Sequence, residues 1–124
     1  MKKIIVADDD LTSRSILVNV ARSEGHMTIE TSSGARAWDL LSDNSDIDCL
    51  ITDMMMPELS GRELIMLIRG TEHYKRLPII LVSAVVTLNE ISDILERGAS
   101  RFLAKPVNTA HLREYLNALI GEKH

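Results

Sequence analysis

The sequence is poor in the residues that support several specialised classes of protein. Of its 124 residues, one is cysteine and three are proline, and aromatic side chains make up 3%. A single cysteine cannot form an internal disulfide, so the fold must depend on its hydrophobic core. Cys49, in an apolar stretch, is expected to be a buried thiol in a reducing compartment. The few aromatic residues are scattered, which argues against base stacking on nucleic acid.

An excess of charge of one sign and long apolar runs are also absent. The 14 basic and 18 acidic residues give a net charge of -4 at pH 7, so no global attraction to nucleic acid or anionic lipid is expected. The apolar stretch from Ile4 to Ala7 is too short for a signal peptide and ends in three aspartates, and no run approaches the length of a membrane span. We therefore predict a cytoplasmic protein without direct nucleic acid or membrane binding.

Short apolar runs of strand length alternate with segments of helical period along the whole chain. Five strands are predicted, at Lys3–Ala7, Met27–Glu30, Asp48–Thr52, Pro78–Ser83 and Arg101–Ala104. Five helices are predicted, at Thr12–Glu24, Gly34–Leu41, Gly61–Arg69, Thr87–Arg97 and Asn108–Ile120. This alternation predicts a single domain over residues 1–124 with an α/β fold. We expect a doubly wound, flavodoxin-like, five-stranded parallel sheet in the order 2-1-3-4-5, covered by helices on both faces.

Polar side chains follow the strands at the edge where such sheets bind ligands, next to the reversal of strand order. They are Asp8, Asp9 and Asp10 after the first strand, Asp53 after the third, Ser83 after the fourth and Lys105 after the fifth. Carboxylates about 5 Å apart repel by about 3 kcal/mol at an effective dielectric of about 20, so a cation must compensate. Carboxylates without histidine or cysteine suit Mg²⁺, and Lys105 suits a phosphoryl oxygen.

Each of these residues also has an ordinary structural interpretation. An acidic run before Thr12 and Ser13 is often a solvated turn and helix cap, and we favour that interpretation for Asp10. Asp53 alone could form a turn, and Ser83 alone could be a loop hydroxyl. Their convergence on one edge in complementary roles favours a site. The histidines lack metal-ligand spacing and are interpreted as surface or incidental residues: His26, His73, His111 and His124.

Taken together, these motifs resemble the receiver domain of two-component response regulators. The resemblance covers the whole chain and rests on Asp8 and Asp9, on "DMMMPELSG" from Asp53, on "VSA" around Ser83 and on "FLAKP" around Lys105. As a set, and with the spacing found here, these motifs are highly specific to that family.

The resemblance implies a phosphorelay signalling protein and not a conventional enzyme. Asp53 would be the phosphoacceptor, and the domain would catalyse only its own aspartyl phosphorylation and slow dephosphorylation. Mg²⁺ would be held by Asp9 directly, by Asp8 through water, by Asp53, and by the backbone carbonyl of Met55. The implied partners are a sensor histidine kinase or histidine phosphotransfer protein and a downstream target or effector domain. The protein would be a monomer or a phosphorylation-dependent homodimer, either free-standing or part of a longer regulator or kinase.

The resemblance also assigns the switch. Ser83 and Lys105 would contact phosphoryl oxygens, and Pro106 would follow a cis peptide bond that directs Lys105 inward. Phe102 would turn into the space that Ser83 leaves, although in isolation it could equally be a core residue. The output would be a population shift in the face formed by the fourth helix, fifth strand and fifth helix.

Two apolar positions bear on the lifetime of the acyl phosphate. Met55, two residues after Asp53, and Val85, two after Ser83, stand where many members of the family carry polar groups that can orient an attacking water. We therefore predict slow self-dephosphorylation.

The main alternative is a haloacid dehalogenase-like phosphatase. "ADDDLT" fits the nucleophile motif of that family, with Asp8 as the nucleophile and Asp10 as the acid/base. That family needs a further acidic pair after Lys105, where only Glu114 and Glu122 are available in or beyond the last helix. The third-strand motif would also stay unexplained.

Overall fold

The computed structural model describes residues 1–84 and 87–121. Its strands are β1 (Lys3–Ala7), β2 (Met27–Thr31), β3 (Cys49–Asp53), β4 (Ile79–Ser83) and β5 (Arg101–Ala104). Its longer helices are α1 (Leu11–Ser23), α2 (Gly34–Asp43), α3 (Gly61–Arg69), α4 (Leu88–Arg97) and α5 (Thr109–Ile120). The strands form one parallel sheet in the order β2-β1-β3-β4-β5. The predicted doubly wound α/β architecture is confirmed.

The element boundaries differ from the predicted ones by at most two residues, mainly because capping residues stand just outside their helices. Thr87 and Asn108, predicted as first helical residues, are N-caps whose side chains accept hydrogen bonds from backbone amides of the first turn. Asp10 caps α1 by accepting from the amide of Ser13, which confirms its interpretation as a cap. A 3-10 helix at Glu72–Tyr74 was not predicted.

Two hydrophobic clusters cover the two faces of the sheet. One lies beneath α2, α3 and α4, and the other beneath α1 and α5. Helices α1, α2 and α3 each contribute four buried residues and α5 contributes three, whereas α4 contributes only Ile94. Cys49 is fully buried, as predicted, and burial together with the charge of Asp48 raises the pKa of its thiol to about 12. No described helix is long and apolar enough to cross a membrane.

The chain turns back tightly after β3. The amide of Gly61 donates to the carbonyl of Met54 at 2.9 Å, which brings the start of α3 against the strand end. A Cβ atom at Gly61 would lie 2.4 Å from the carbonyl oxygen of Asp53, closer than real Cβ contacts allow. Met54 and Met56 pack against the core, whereas Met55 is 72% exposed. The turn therefore fixes Asp53 at the rim of the sheet.

Candidate functional site

The sheet brings two aspartates and a lysine together at its carboxyl edge. Asp8 directly follows β1 and is fully buried, and Asp53, predicted to follow β3, is its last residue and 5% exposed. Lys105 follows β5, and its Nζ atom lies 3.1 Å from Oδ2 of Asp8 and 3.3 Å from Oδ2 of Asp53. One ammonium group is therefore shared between two carboxylates from different strands.

Asp8 is held by donors from the start of α1 as well as by the lysine. Its Oδ1 accepts from the amide of Asp10 at 2.9 Å, and its Oδ2 accepts from the hydroxyl of Ser13 at 2.6 Å. Arg14 donates from Nη1 to the backbone carbonyl of Asp8 at 2.8 Å. The sequence pattern indicated Ser13 only as part of a helix cap, so its place in the site was not predicted. Its position in the first turn after the acidic run was the available signal.

The electrostatics of the site reflect crowding of negative charge. Burial raises the pKa of Asp53, the charge of Asp8 raises it further, and Lys105 only partly offsets the two effects. For Lys105, burial by itself lowers the pKa, but the hydrogen bond to Asp8 and the charges of Asp53 and Asp8 outweigh it, so the pKa is raised. The single positive charge of Lys105 therefore does not balance the negative charges of Asp8 and Asp53.

The acidic residues are close enough to share a metal ion. Carboxylate oxygens of Asp8, Asp9 and Asp53 lie within 4.8 Å of one another, and no other such group of acids, histidines or cysteines occurs within residues 1–84 and 87–121. Asp9 is exposed, whereas the other two are buried. Hard oxygen ligands open to solvent on one side suit a divalent cation such as Mg²⁺ that keeps part of its water shell.

The other predicted site residues that the structure describes lie on or near the same edge. Ser83 ends β4, is 4% exposed, and helps to line an opening of about 440 Å³ with Met54, Met55, Ser60, Arg62 and Glu90. Phe102 is half-buried and packs against the cluster beneath α2, α3 and α4. The peptide bond between Lys105 and Pro106 is cis. Val85 lies outside the described residues.

The described histidines are distant in sequence from Asp8, Asp9 and Asp53. His73 and His111 are exposed, and His26 is half-buried and accepts a hydrogen bond from the amide of Lys2. No described histidine belongs to a group that could hold a metal ion. His124 lies outside the described residues.

The phosphatase alternative receives no support. Its nucleophile, Asp8, is fully buried and accepts hydrogen bonds on both carboxylate oxygens. Glu114 lies exposed on α5, and Glu122 is outside the described residues. The third-strand residue Asp53, which that alternative leaves without a role, forms an ion pair with Lys105 in the same cluster.

A protein family model and a known relative both match most of this chain. The family model described as "Response regulator receiver domain" matches residues 4–117. The "Chemotaxis protein CheY homolog" of Campylobacter jejuni subsp. jejuni is 37% identical over 120 residues, which cover 96% of this chain and 92% of the relative.

Two solved structures extend the likeness to three dimensions. A crystal structure described as a putative response regulator from Chloroflexus aurantiacus superimposes with a TM-score of 0.90 at 27% identity, covering 98% of both chains. The receiver domain of a sensor histidine kinase from Pseudomonas aeruginosa superimposes with a TM-score of 0.86 at 26% identity, also over 98% of both chains. That structure is described as having a magnesium ion coordinated in its active site cleft.

Proposed function

Because the chain belongs to the response regulator receiver domain family, we propose that Asp53 accepts a phosphoryl group from a histidine kinase or histidine phosphotransfer protein. The observation that carries the proposal is the position of Lys105 between the carboxylates of Asp8 and Asp53. A lysine held beside a strand-end carboxylate is already in reach of an oxygen on a phosphoryl group that the carboxylate acquires. The backbone of β3 holds that carboxylate rigidly at the rim of the sheet.

The donor set also fits Mg²⁺. Asp9 is the exposed member of the acidic cluster and suits direct coordination together with Asp53. The family resemblance adds the backbone carbonyl of Met55 as a further ligand. Asp8 already accepts two hydrogen bonds from the start of α1, which suits a contact through water. When bound, Mg²⁺ would offset the charge of the phosphoryl oxygens. The receiver domain from Pseudomonas aeruginosa that is described as holding magnesium in its active site cleft supports Mg²⁺ as the ion.

The proposed reaction is a displacement at phosphorus. A carboxylate oxygen of Asp53 forms the new bond to phosphorus while the phosphorus–nitrogen bond of the phosphohistidine breaks. The imidazole of the donor leaves with the electron pair of that bond, and the product is an acyl phosphate. Lys105 pairs with one phosphoryl oxygen and the hydroxyl of Ser83 donates to another. These contacts position and neutralise the group, which is most of what phosphoryl transfer needs from a protein.

The proposed output starts from Ser83 and Phe102. Ser83 ends β4 beside the site. This strand pairs with β5, and Leu81 of β4 lies opposite Phe102 of β5. Movement of Ser83 toward the phosphoryl group would open space for the half-buried ring of Phe102. The face formed by α4, β5 and α5 would then shift its population and recruit a target protein or effector domain.

The proposal extends to the organisation of the protein. We take residues 1–124 as one receiver domain, a monomer or a phosphorylation-dependent homodimer. A cytoplasmic location accords with the buried, unpaired Cys49 and with phosphodonors that kinases make from ATP.

The test is phosphorylation by acetyl phosphate with Mg²⁺, followed by intact-mass spectrometry. Wild type is expected to gain one phosphoryl group and Asp53→Ala none. Asp8→Ala is expected to give a lower yield, because the acidic cluster is disturbed. Asp39→Ala, which removes an exposed carboxylate from α2, serves as the matched control and should behave as wild type. An adduct that survives Asp53→Ala would overturn the proposal.

A further inference from the structure

We propose that Ser13 is a positioning residue for phosphoryl transfer: its hydroxyl holds the buried carboxylate of Asp8, so that Lys105 can leave Asp8 for the phosphoryl group. The inference rests on the proposed phosphorylation of Asp53. It assigns a role to a residue that touches neither the phosphoryl group nor the phosphodonor.

The hydrogen bond from Ser13 to Asp8 is short and anchored at both ends. The Ser13 hydroxyl donates to Oδ2 of Asp8 at 2.6 Å, and the backbone amide of Ser13 donates to Oδ2 of Asp10 at 2.8 Å. Arg14, the next residue of α1, donates to the backbone carbonyl of Asp8 at 2.8 Å. The first turn of α1 is thereby fixed to the end of β1 through both backbone and side chain.

Lys105 and Ser13 contact the same carboxylate oxygen. Nζ of Lys105 lies 3.1 Å from Oδ2 of Asp8, the oxygen that accepts from Ser13, and donates to Oδ1 of Asp8 at 3.4 Å. It also lies 3.3 Å from Oδ2 of Asp53. When the phosphoryl group takes Lys105, Asp8 loses its ammonium partner while it is still fully buried. A buried carboxylate needs hydrogen-bond donors, and Ser13 with the amide of Asp10 continues to supply them.

The same bond bears on metal affinity. Asp8 contributes one of the three carboxylates that lie within 4.8 Å of one another. With the Ser13 hydroxyl in place, the carboxylate keeps one orientation toward Asp9 and Asp53. Without it, Asp8 would turn toward Lys105 as its main donor, which would both loosen the acidic cluster and hold the lysine back. Partners that orient metal-binding carboxylates commonly change affinity by one to two orders of magnitude.

The first experiment measures Mg²⁺ binding without any phosphodonor, by calorimetry and by the shifts of backbone amide resonances. Ser13→Ala is expected to weaken Mg²⁺ binding roughly tenfold. Ser13→Cys, which keeps the size of the side chain but offers only a weak donor, should weaken binding in the same direction. Ser13→Thr, which keeps a hydroxyl, should restore it. Ser15→Ala makes the same change at an exposed position of α1 and should match wild type.

The second experiment asks whether the effect runs through Asp8. At saturating Mg²⁺, Ser13→Ala should slow phosphorylation of Asp53 by acetyl phosphate roughly tenfold, because Asp8 retains Lys105. In an Asp8→Ala background, Ser13→Ala should have no further effect on either measurement, because the acceptor of the hydroxyl is gone. An undiminished effect in that background would overturn the inference.

The outcomes separate the two proposals. If Ser13→Ala and Ser13→Cys bind Mg²⁺ and accept phosphate as Ser15→Ala does, Ser13 has no positioning role although Asp53 is the phosphoacceptor. If wild-type Asp53 is never phosphorylated while Ser13→Ala still weakens Mg²⁺ binding, the proposed function fails and the organising contact of Ser13 with the acidic cluster remains.

Discussion

The ammonium nitrogen of Lys105 lies 3.3 Å from Oδ2 of Asp53. The two residues belong to segments that follow or end different strands, and β4 separates those strands in the sheet. Their contact therefore depends on the parallel order of the sheet, which aligns the carboxyl ends of all five strands. It pairs the proposed nucleophile with the cation that would stabilise its product.

Replacing that cation is expected to slow phosphorylation of Asp53 strongly. Lys105→Met keeps much of the apolar stem but removes the ammonium group, so one preorganised charge on the phosphoryl oxygens is lost. We expect a decrease of roughly a hundredfold in the initial rate with acetyl phosphate and Mg²⁺, measured by intact-mass spectrometry. Lys75→Met, at an exposed position, is the matched control. A Lys105→Met rate within twofold of the control would contradict this role.

The raised pKa of Asp53 predicts a loss of stability with increasing pH. The folded state holds this proton to a higher pH than the unfolded state does, so the free energy of unfolding falls as pH rises from 3.8, the ordinary value, through the folded-state pKa. Asp53→Asn removes this effect. At pH 7 without divalent metal, we expect it to be more stable than wild type, on the order of 1 kcal/mol.

Urea denaturation from pH 4 to pH 8 in the presence of a chelator measures this difference. The gap in unfolding free energy between Asp53→Asn and wild type should widen with pH. Asp39→Asn, at an exposed position of α2, is the matched control. A gap that stays constant with pH would mean that Asp53 carries no such electrostatic cost.

The close approach of Gly61 to β3 predicts opposite outcomes for one substitution at the two ends of α3. Gly61→Ala would place a Cβ atom 2.4 Å from the carbonyl oxygen of Asp53, and we expect a loss of roughly 3 kcal/mol in unfolding free energy. At Gly70 the nearest atom to an added Cβ lies 3.4 Å away and φ is -82°, so Gly70→Ala should gain about 0.5 kcal/mol. Urea denaturation measures both, and equal effects would refute the steric argument.

Arg69 is expected to contribute more to stability than a surface arginine. Its guanidinium donates to the carbonyls of Gly98, Tyr74, Lys75 and Leu77, and so joins α3, the segment before β4 and the end of α4. Arg69→Met should cost roughly 2 kcal/mol in unfolding free energy, because several carbonyls lose their donor. Arg113→Met, which removes an exposed ion pair at 3.8 Å, should cost less than about 0.5 kcal/mol. Chemical denaturation of the two variants measures both losses in unfolding free energy. Equal losses would contradict the special contribution of Arg69.

Met55, two residues after the proposed phosphoacceptor Asp53 in the sequence, and Val85, two after Ser83, are apolar and predict a long-lived acyl phosphate. Met55 is 72% exposed and carries no group that could orient an attacking water. Substituting polar groups, Met55→Asn with Val85→Glu, should shorten the half-life of the phosphorylated protein severalfold, measured as the decay of the intact-mass adduct after removal of the donor. Met66→Asn, at an exposed position of α3, is the control. An unchanged half-life in the double variant would remove the basis for the prediction.

The five strands and the five longer helices could be predicted because apolar runs and turn residues alternate clearly along the chain. The sheet order followed from the flavodoxin-like architecture that this alternation indicates. The bounds of β1, β5 and α3 agree with the structure, since a charged residue or a glycine stands at most of their ends. The end of β3 was placed one residue early, because Asp53 looks like a loop acid in the sequence, whereas in the sheet it still pairs with Val82. The 3-10 helix at Glu72–Tyr74 is too short to produce a periodic pattern.

Side-chain partners were harder to predict than elements. Ser13 looks like an ordinary residue of a helix start, and only the geometry of the first turn of α1 brings its hydroxyl to Asp8. Arg69 resembles a solvated charge at the end of an amphipathic helix, but its carbonyl acceptors come from segments that meet only in the folded chain. Such contacts depend on tertiary geometry, which no local pattern encodes.

The single buried residue of α4 means that this helix is held to the core by little apolar contact. Ile94 is the only side chain that α4 buries fully, so lifting the helix exposes apolar surface equivalent to about 1.5 to 3 kcal/mol. The C-terminal end of α4 is held by the hydrogen bonds from Arg69 to the carbonyl of Gly98. Its N-terminal end begins at Leu88, five residues after Ser83 in the sequence. Two or three charge-assisted hydrogen bonds formed around one phosphate release energy of the same order. If Ser83 moves toward the proposed phosphoryl group, these hydrogen bonds would supply about the free energy needed to displace α4.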